Sequence, residues 1–176
     1  MTSSDTDTKP LGLEPIRDFA SRYLDAWNSH DAARMAPLLS DDVVWADPAL
    51  PEPASGIAAV QDFMRTGWRA FPDLRFEEPD PPHLSVAGDK VAWAWRMHGT
   101  MLGPLEPPGF APTGRPMVVD GVDLWTMRGD RIVRYRAFYD LTDLSRQLGI
   151  LPPPASRAER VTVALQRLQA RLARRR

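Results

Sequence analysis

Apolar positions in the first third of the chain recur every three or four residues, and in the second half they shift toward a period of two. Ile16, Phe19, Ala20, Tyr23, Leu24 and Trp27 share one face of a helix predicted over residues 14–28, because side chains three and four apart stack on the same side of a helix. Asn28-Ser29-His30-Asp31 then supplies turn and capping chemistry, so a short second helix is predicted over 32–39, ended by Ser40-Asp41-Asp42. Val43 to Asp47 is the first predicted strand, closed by Pro48 and a loop over 49–55. Helical spacing returns over 56–71 through Ile57, Val60, Phe63, Met64 and Trp68. Strands are predicted over 73–78, 83–87, 90–100, 117–127 and 131–140, with Gly88-Asp89 and Arg128-Gly129-Asp130 as turns. Residues 101–116 hold five prolines and three glycines and read as a loop. Three helices followed by antiparallel strands predict one α+β domain, a curved sheet wrapped around its helices.

Two acidic residues interrupt this pattern. Asp47 ends Val43-Val44-Trp45-Ala46-Asp47, and Asp120 sits within Met117-Val118-Val119-Asp120-Gly121-Val122-Asp123-Leu124-Trp125. Strands disfavour Asp, and a carboxylate among Val, Trp and Leu has to be paired, hydrogen-bonded or protonated. Both are therefore acid/base candidates; the plainer reading is a half-exposed sheet with one or both facing solvent. Asp120 and Asp123 are three apart, so alternation sends them to opposite faces.

Composition narrows the chemistry. The 176 residues suit a single domain with a real core, and the absence of cysteine removes disulfide and thiolate chemistry and fits a reducing, cytoplasmic compartment. Residues 1–13 form a polar leader with no apolar stretch, so neither a signal peptide nor a membrane anchor is expected. Net charge is -1, yet residues from Ala155 onward carry seven Arg and one Glu, leaving the preceding body at -7. An acidic body argues against nucleic-acid binding. The tail, residues 151–176, begins with the stiff spacer Pro152-Pro153-Pro154, and its Val161, Leu165, Leu168 and Leu172 alternate four and three apart. That spacing predicts a basic amphipathic helix for docking on this domain, on a dimer mate, on another partner or on a membrane surface.

Phe71-Pro72-Asp73-Leu74-Arg75-Phe76, Pro112-Thr113-Gly114-Arg115 and Phe138-Tyr139-Asp140 with Arg146-Gln147-Leu148-Gly149 occur in an order that resembles the NTF2-like superfamily, and within it the SnoaL-like polyketide cyclase group. The resemblance spans residues 14–150 and implies a cone-shaped α+β domain, a cofactor-free reaction on a hydrophobic enolisable carbonyl compound, and intramolecular aldol-type ring closure. It makes Asp140, at the end of the last strand, a candidate acid/base and His98 a candidate proton donor. Tyr23, Asp47-Pro48 and Asp120 are similar to the Tyr/Asp/Asp pattern of ketosteroid isomerases. That similarity implies Asp47 as the proton-moving base, with Tyr23 and a neutral Asp120 as donors to an enolate oxygen, a logic well known for that enzyme. Trp45, Phe63, Trp95, Trp125 and Tyr139 are the expected substrate contacts, and a homodimer is the expected assembly.

His30, His83 and His98 lie in unrelated segments without metal-ligand spacing, and no glycine-rich phosphate loop follows a strand, so neither metal nor nucleotide cofactor is expected. An epoxide hydrolase would want an Arg-x-Asp pattern on the long strand, and none is present. A non-catalytic binding or dimerisation module is the rival of a different kind. The loop over 101–116 is read as a lid, a rigid connector or a dimer contact.

Overall fold

The computed structural model describes residues 12–174, so most of the polar leader lies outside the described residues. Helix α1 (Leu13–Asn28) buries Ile16, Phe19, Ala20, Tyr23, Ala26 and Trp27, the stripe its periodicity predicts. Its last residue fastens it to the sheet: the Asn28 amide donates to the Phe76 carbonyl at 2.9 Å, and its oxygen accepts from the Phe76 N–H at 2.8 Å. The predicted second helix is a 3₁₀ helix, Ala32–Leu38, started by Asp31, whose carboxylate accepts from the Ala33 amide at 3.0 Å. Pro37 within it lacks the N–H donor that a longer α-helix would use. Helix α2 (Ile57–Ala70) buries Val60, Met64, Trp68 and Ala70.

Seven strands follow the chain as β1 (Leu39–Ala46), β2 (Ala54–Ser55), β3 (Arg75–Glu77), β4 (His83–Leu84), β5 (Lys90–Thr100), β6 (Pro116–Arg128) and β7 (Arg131–Tyr139). They make one sheet in the order β2-β1-β7-β6-β5-β3, with β4 paired to β5. All neighbours run antiparallel except β1 and β7, which pair in parallel from Leu39↔Ile132 to Ala46↔Arg136. This parallel pair departs from the expected antiparallel sheet. It joins strands from opposite ends of the domain, a pairing set by tertiary closure and carrying no local signal.

Alternation decides what enters the cone. On β6, Met117, Val119, Asp123, Trp125 and Met127 point inward, while Val118, Asp120, Val122 and Leu124 are exposed. On β5, Val91, Trp93 and Trp95 point inward, leaving Arg96 and His98 on the outer face. The lower cone is filled by Phe19, Tyr23, Trp45, Trp93 and Trp125, each nearly or wholly inaccessible. Burying one such aromatic stabilises the fold by about 2–3 kcal/mol.

Two further helices follow the sheet. Helix α3 (Leu141–Gln147), too short to show a period, packs on β6 through Gln147, whose side chain exchanges hydrogen bonds with the Val118 N–H at 2.8 Å and C=O at 2.9 Å. Helix α4 (Arg157–Ala173) extends from the domain with none of its residues buried. Among the described residues, no helix is long and apolar enough to cross a membrane.

Candidate active site

The Asp-bearing strand β6 places one carboxyl in the core, and it is Asp123, at 2 % exposure. Three donors converge on it: Tyr23 Oη at 3.0 Å on Oδ2, Trp95 Nε1 at 2.7 Å and Tyr135 Oη at 2.8 Å, both on Oδ1. Burial pushes the Asp123 carboxyl up to about 7, against the pull of these three hydrogen bonds. Burial also pushes the Tyr23 and Tyr135 phenols well above their usual range, so both stay neutral donors. Gly121 makes room for the Trp95 bond, since a Cβ there would lie 2.2 Å from the Trp95 ring.

Above this cluster lies a cavity of about 270 Å³, walled by Trp27, Phe63, Phe71, Phe76 and Met97 and completed by Leu144, Ile150 and Tyr139. Its roof is the proline-rich loop, which contributes Leu105, Glu106, Pro107, Pro108 and Phe110. The segment therefore forms part of the cavity wall. The loop's base is clamped to α2, because the Leu102 and Gly103 amides both donate to the Ala70 carbonyl at 3.0 Å. Its tip is closed by reciprocal Leu105 and Phe110 backbone bonds at 3.0 Å. The lining is apolar with few polar handles, the character of a site for a hydrophobic small molecule.

One of those handles connects to a carboxylate. Tyr139, at the end of β7, donates to Asp47 Oδ1 at 2.8 Å, and the same oxygen accepts from the Ala49 amide at 2.8 Å. Asp47 follows the last residue of β1, where the parallel β1–β7 pairing brings it beside Tyr139. Burial raises the Asp47 carboxyl above its ordinary value, partly offset by the Ala49 and Tyr139 hydrogen bonds. Burial and the Asp47 charge both push the Tyr139 phenol up, so it too stays protonated. Asp47 itself lines a second, open concavity of about 350 Å³ on the outer side, with Glu52, Arg136 and Phe138. Tyr139 and Pro48 border both spaces, so the Tyr139–Asp47 pair runs from the apolar cavity to an outer groove.

Several expected positions are corrected. Asp120 lies on the outer face, exposed and paired with Arg96 at 2.7 and 2.9 Å, and the bonds from this guanidinium hold its carboxyl below its usual value. The carboxyl in an apolar wall is Asp123, because the strand phase that turns Trp125 and Met127 inward carries Asp123 with them. His98 shares the outer face and approaches Glu77 at 3.5 Å. Asp140 is exposed and caps α3 by accepting from the Asp143 amide at 2.8 Å. Tyr23, Trp45, Trp95 and Trp125 belong to the packed lower cone and do not line the cavity, whereas Phe63 and Tyr139 do. Asp123, Tyr135 and Glu106 were absent from the expected site. The phase of Trp125 was the signal for Asp123; neither Tyr135 nor Glu106 carried one. No three His, Asp or Glu side chains among the described residues converge as metal ligands.

Comparisons with known proteins agree with this architecture. TsrD from Streptomyces laurentii superposes with a TM-score of 0.68 at 25% identity, covering 80% of this chain and 99% of its own. IdmH from Streptomyces antibioticus, described as a candidate polyketide cyclase, gives a TM-score of 0.62 at 26% identity over 75% of this chain and 96% of its own. AclR from Streptomyces galilaeus, described as a candidate hydroxylase, gives 0.68 at 23% identity over 93% and 98%, a likeness of fold alone. Among curated proteins none matches the chain. Residues 20–135 match the SnoaL-like domain, and with the cone, the cavity and the curved sheet in place, the chain belongs to this SnoaL-like family of the NTF2-like superfamily.

Proposed function

We propose that the chain is a cofactor-free acid/base enzyme that closes a carbon ring in a hydrophobic, polyketide-like carbonyl compound by an intramolecular aldol step. The observation that carries this reading is the Tyr139–Asp47 pair, a phenol facing an apolar cavity with a carboxylate bonded behind it. A proton leaves the carbon beside a substrate carbonyl for Tyr139 Oη while the Tyr139 proton passes to Asp47. The electron pair left behind moves into the carbonyl as an enolate. The enolate carbon attacks a second carbonyl of the same molecule, forming the carbon–carbon bond, and the resulting alkoxide takes the proton back through the pair. The elevated Asp47 carboxyl lies closer to neutrality than an ordinary aspartate and suits both halves of this cycle. The apolar walls and loop roof keep water from the enolate.

A double-bond isomerase is the second reading. It is favoured by the buried Asp123 with its Tyr23 and Tyr135 partners, an array that could stabilise an enolate if the cone floor opened. Both readings share enolate formation, so proton exchange on a simple bicyclic ketone tests them. With 2-tetralone in deuterated buffer, the protein accelerates exchange of the protons beside the carbonyl, read by NMR. Asp47→Asn and Tyr139→Phe each slow that exchange by roughly 10²-fold or more while ketone binding, followed by tryptophan fluorescence, is retained. Under the isomerase reading Asp123→Asn has the comparable effect. Binding without accelerated exchange in the unaltered protein means a non-catalytic binding module.

A further inference from the structure

Helix α4 carries a row of large aliphatic side chains that nothing in the domain covers. Val161, Leu165, Leu168 and Leu172 are between 54% and 59% exposed, and their 4-3-4 spacing forms the narrow seam by which one helix packs against another. At 3.6 residues per turn, Arg160, Arg167 and Arg171 align along one flank of that seam, while Thr162, Gln166 and Gln169 occupy the other. The single acidic side chain in the helix, Glu159, is engaged at its base, accepting from the Ala155 amide at 2.6 Å and lying 3.7 Å from Arg146.

We propose that α4 is a docking helix for another protein, and that its occupant is an amphipathic helix with an aliphatic seam and acidic residues along one edge. The charge pattern discriminates among occupants. A second copy of α4 presents only Arg, Thr and Gln to the arginine row, so homotypic pairing gains nothing from it. A bilayer favours a helix whose face opposite the seam is charged along its length, but here Val163 and Ala170 hold the middle of that face and its charges, Glu159 and Arg174, stand only at the two ends. An acidic helix satisfies both features, desolvating the seam while its carboxylates meet the one-sided arginines. The base of α4 meets α3 at the Glu159–Arg146 contact, and α3 lends Leu144 and Ser145 to the cavity lining. The inference does not depend on the catalytic reading.

The test uses the full chain and two synthetic three-heptad helices with the same leucine seam, one flanked by Glu and the other by Lys, together with phosphatidylcholine vesicles containing one-third phosphatidylglycerol. The Glu-flanked helix binds, and its affinity falls roughly tenfold between low and near-molar salt; the Lys-flanked helix and the vesicles do not bind. Leu165→Ala with Leu168→Ala abolishes binding, and Arg160→Gln with Arg167→Gln and Arg171→Gln reduces it roughly tenfold. Alanine preserves helix propensity, and circular dichroism verifies that each variant keeps its helix. Equal binding of both peptides, absence of peptide binding, or preferential binding to the vesicles overturns the proposal. So does a dimer in sedimentation that the leucine double variant dissociates, because the seam is then a contact between copies.

Discussion

Asp123 differs from the other described carboxylates on the sheet in being buried with three neutral donors around it. A carboxyl whose folded value is raised binds its proton more tightly in the native state than in the unfolded chain. Its stabilising contribution is therefore complete below about pH 4, declines as pH rises toward about 7, and is gone above it. Three pH units of linkage correspond to roughly 4 kcal/mol. Urea midpoints measured at pH 5 and pH 8 should thus fall with increasing pH in the native chain, and Asp123→Asn should flatten that dependence; an unchanged slope would show that another group controls it. Asp120 and Asp140 belong to the surface, the first in an exposed ion pair and the second as a helix cap. Asp120→Asn and Asp140→Asn should leave exchange on 2-tetralone within about twofold of the native rate, Asn being as good a cap as Asp. Abolition of exchange by either substitution would return the chemistry to the residue the sequence resemblance favoured.

At the scale of elements, the roof of the cavity depends on how closely the loop can approach α2. A Cβ on Gly103 would lie 2.0 Å from the Arg69 carbonyl oxygen, a backbone atom that has no side-chain freedom to yield. Gly103→Ala should therefore lift the loop, costing about 1–3 kcal/mol of stability and shortening the residence of a bound ketone in stopped-flow fluorescence. A variant with native stability and native residence would mean that the loop is not clamped there. Much of this level was legible from periodicity: α1, α2, β5, β6 and β7 fall within a few residues of their predicted spans because each carries a long, consistent pattern. The second helix was also legible over 32–39, but its 3₁₀ character, β2 and α3 were not, since these owe their conformation to Pro37, to pairing with β1 and to the Gln147 contact with β6.

For the molecule as a whole, the domain closes without its C-terminal helix. No residue of α4 is buried, and its Glu159–Arg146 contact is a partly exposed pair of the kind that contributes little. Removing residues 155–176 should leave the thermal midpoint within about 2 °C of the full chain and leave ketone exchange intact. A large drop would show that α4 closes on the domain in solution. The split between an acidic body and a basic helix then has a physical meaning: the body folds and encloses the cavity, and the helix faces outward.

The sequence by itself determined the α+β class, the helix faces, the strand order along the chain and the family, because these depend on local periodicity and on motifs in series. It also singled out Asp47. Only the tertiary structure decided that β1 runs parallel to β7, which is what sets Asp47 against Tyr139. It likewise decided between Asp120 and Asp123: alternation puts Asp123 in phase with Trp125, but Val118, Val122 and Leu124 make the other face of β6 apolar too, and only closure of the sheet turns the Trp125 face inward. Local pattern fixes which side chains share a face; closure of the sheet fixes which face becomes the inside, and with it where a proton can be held.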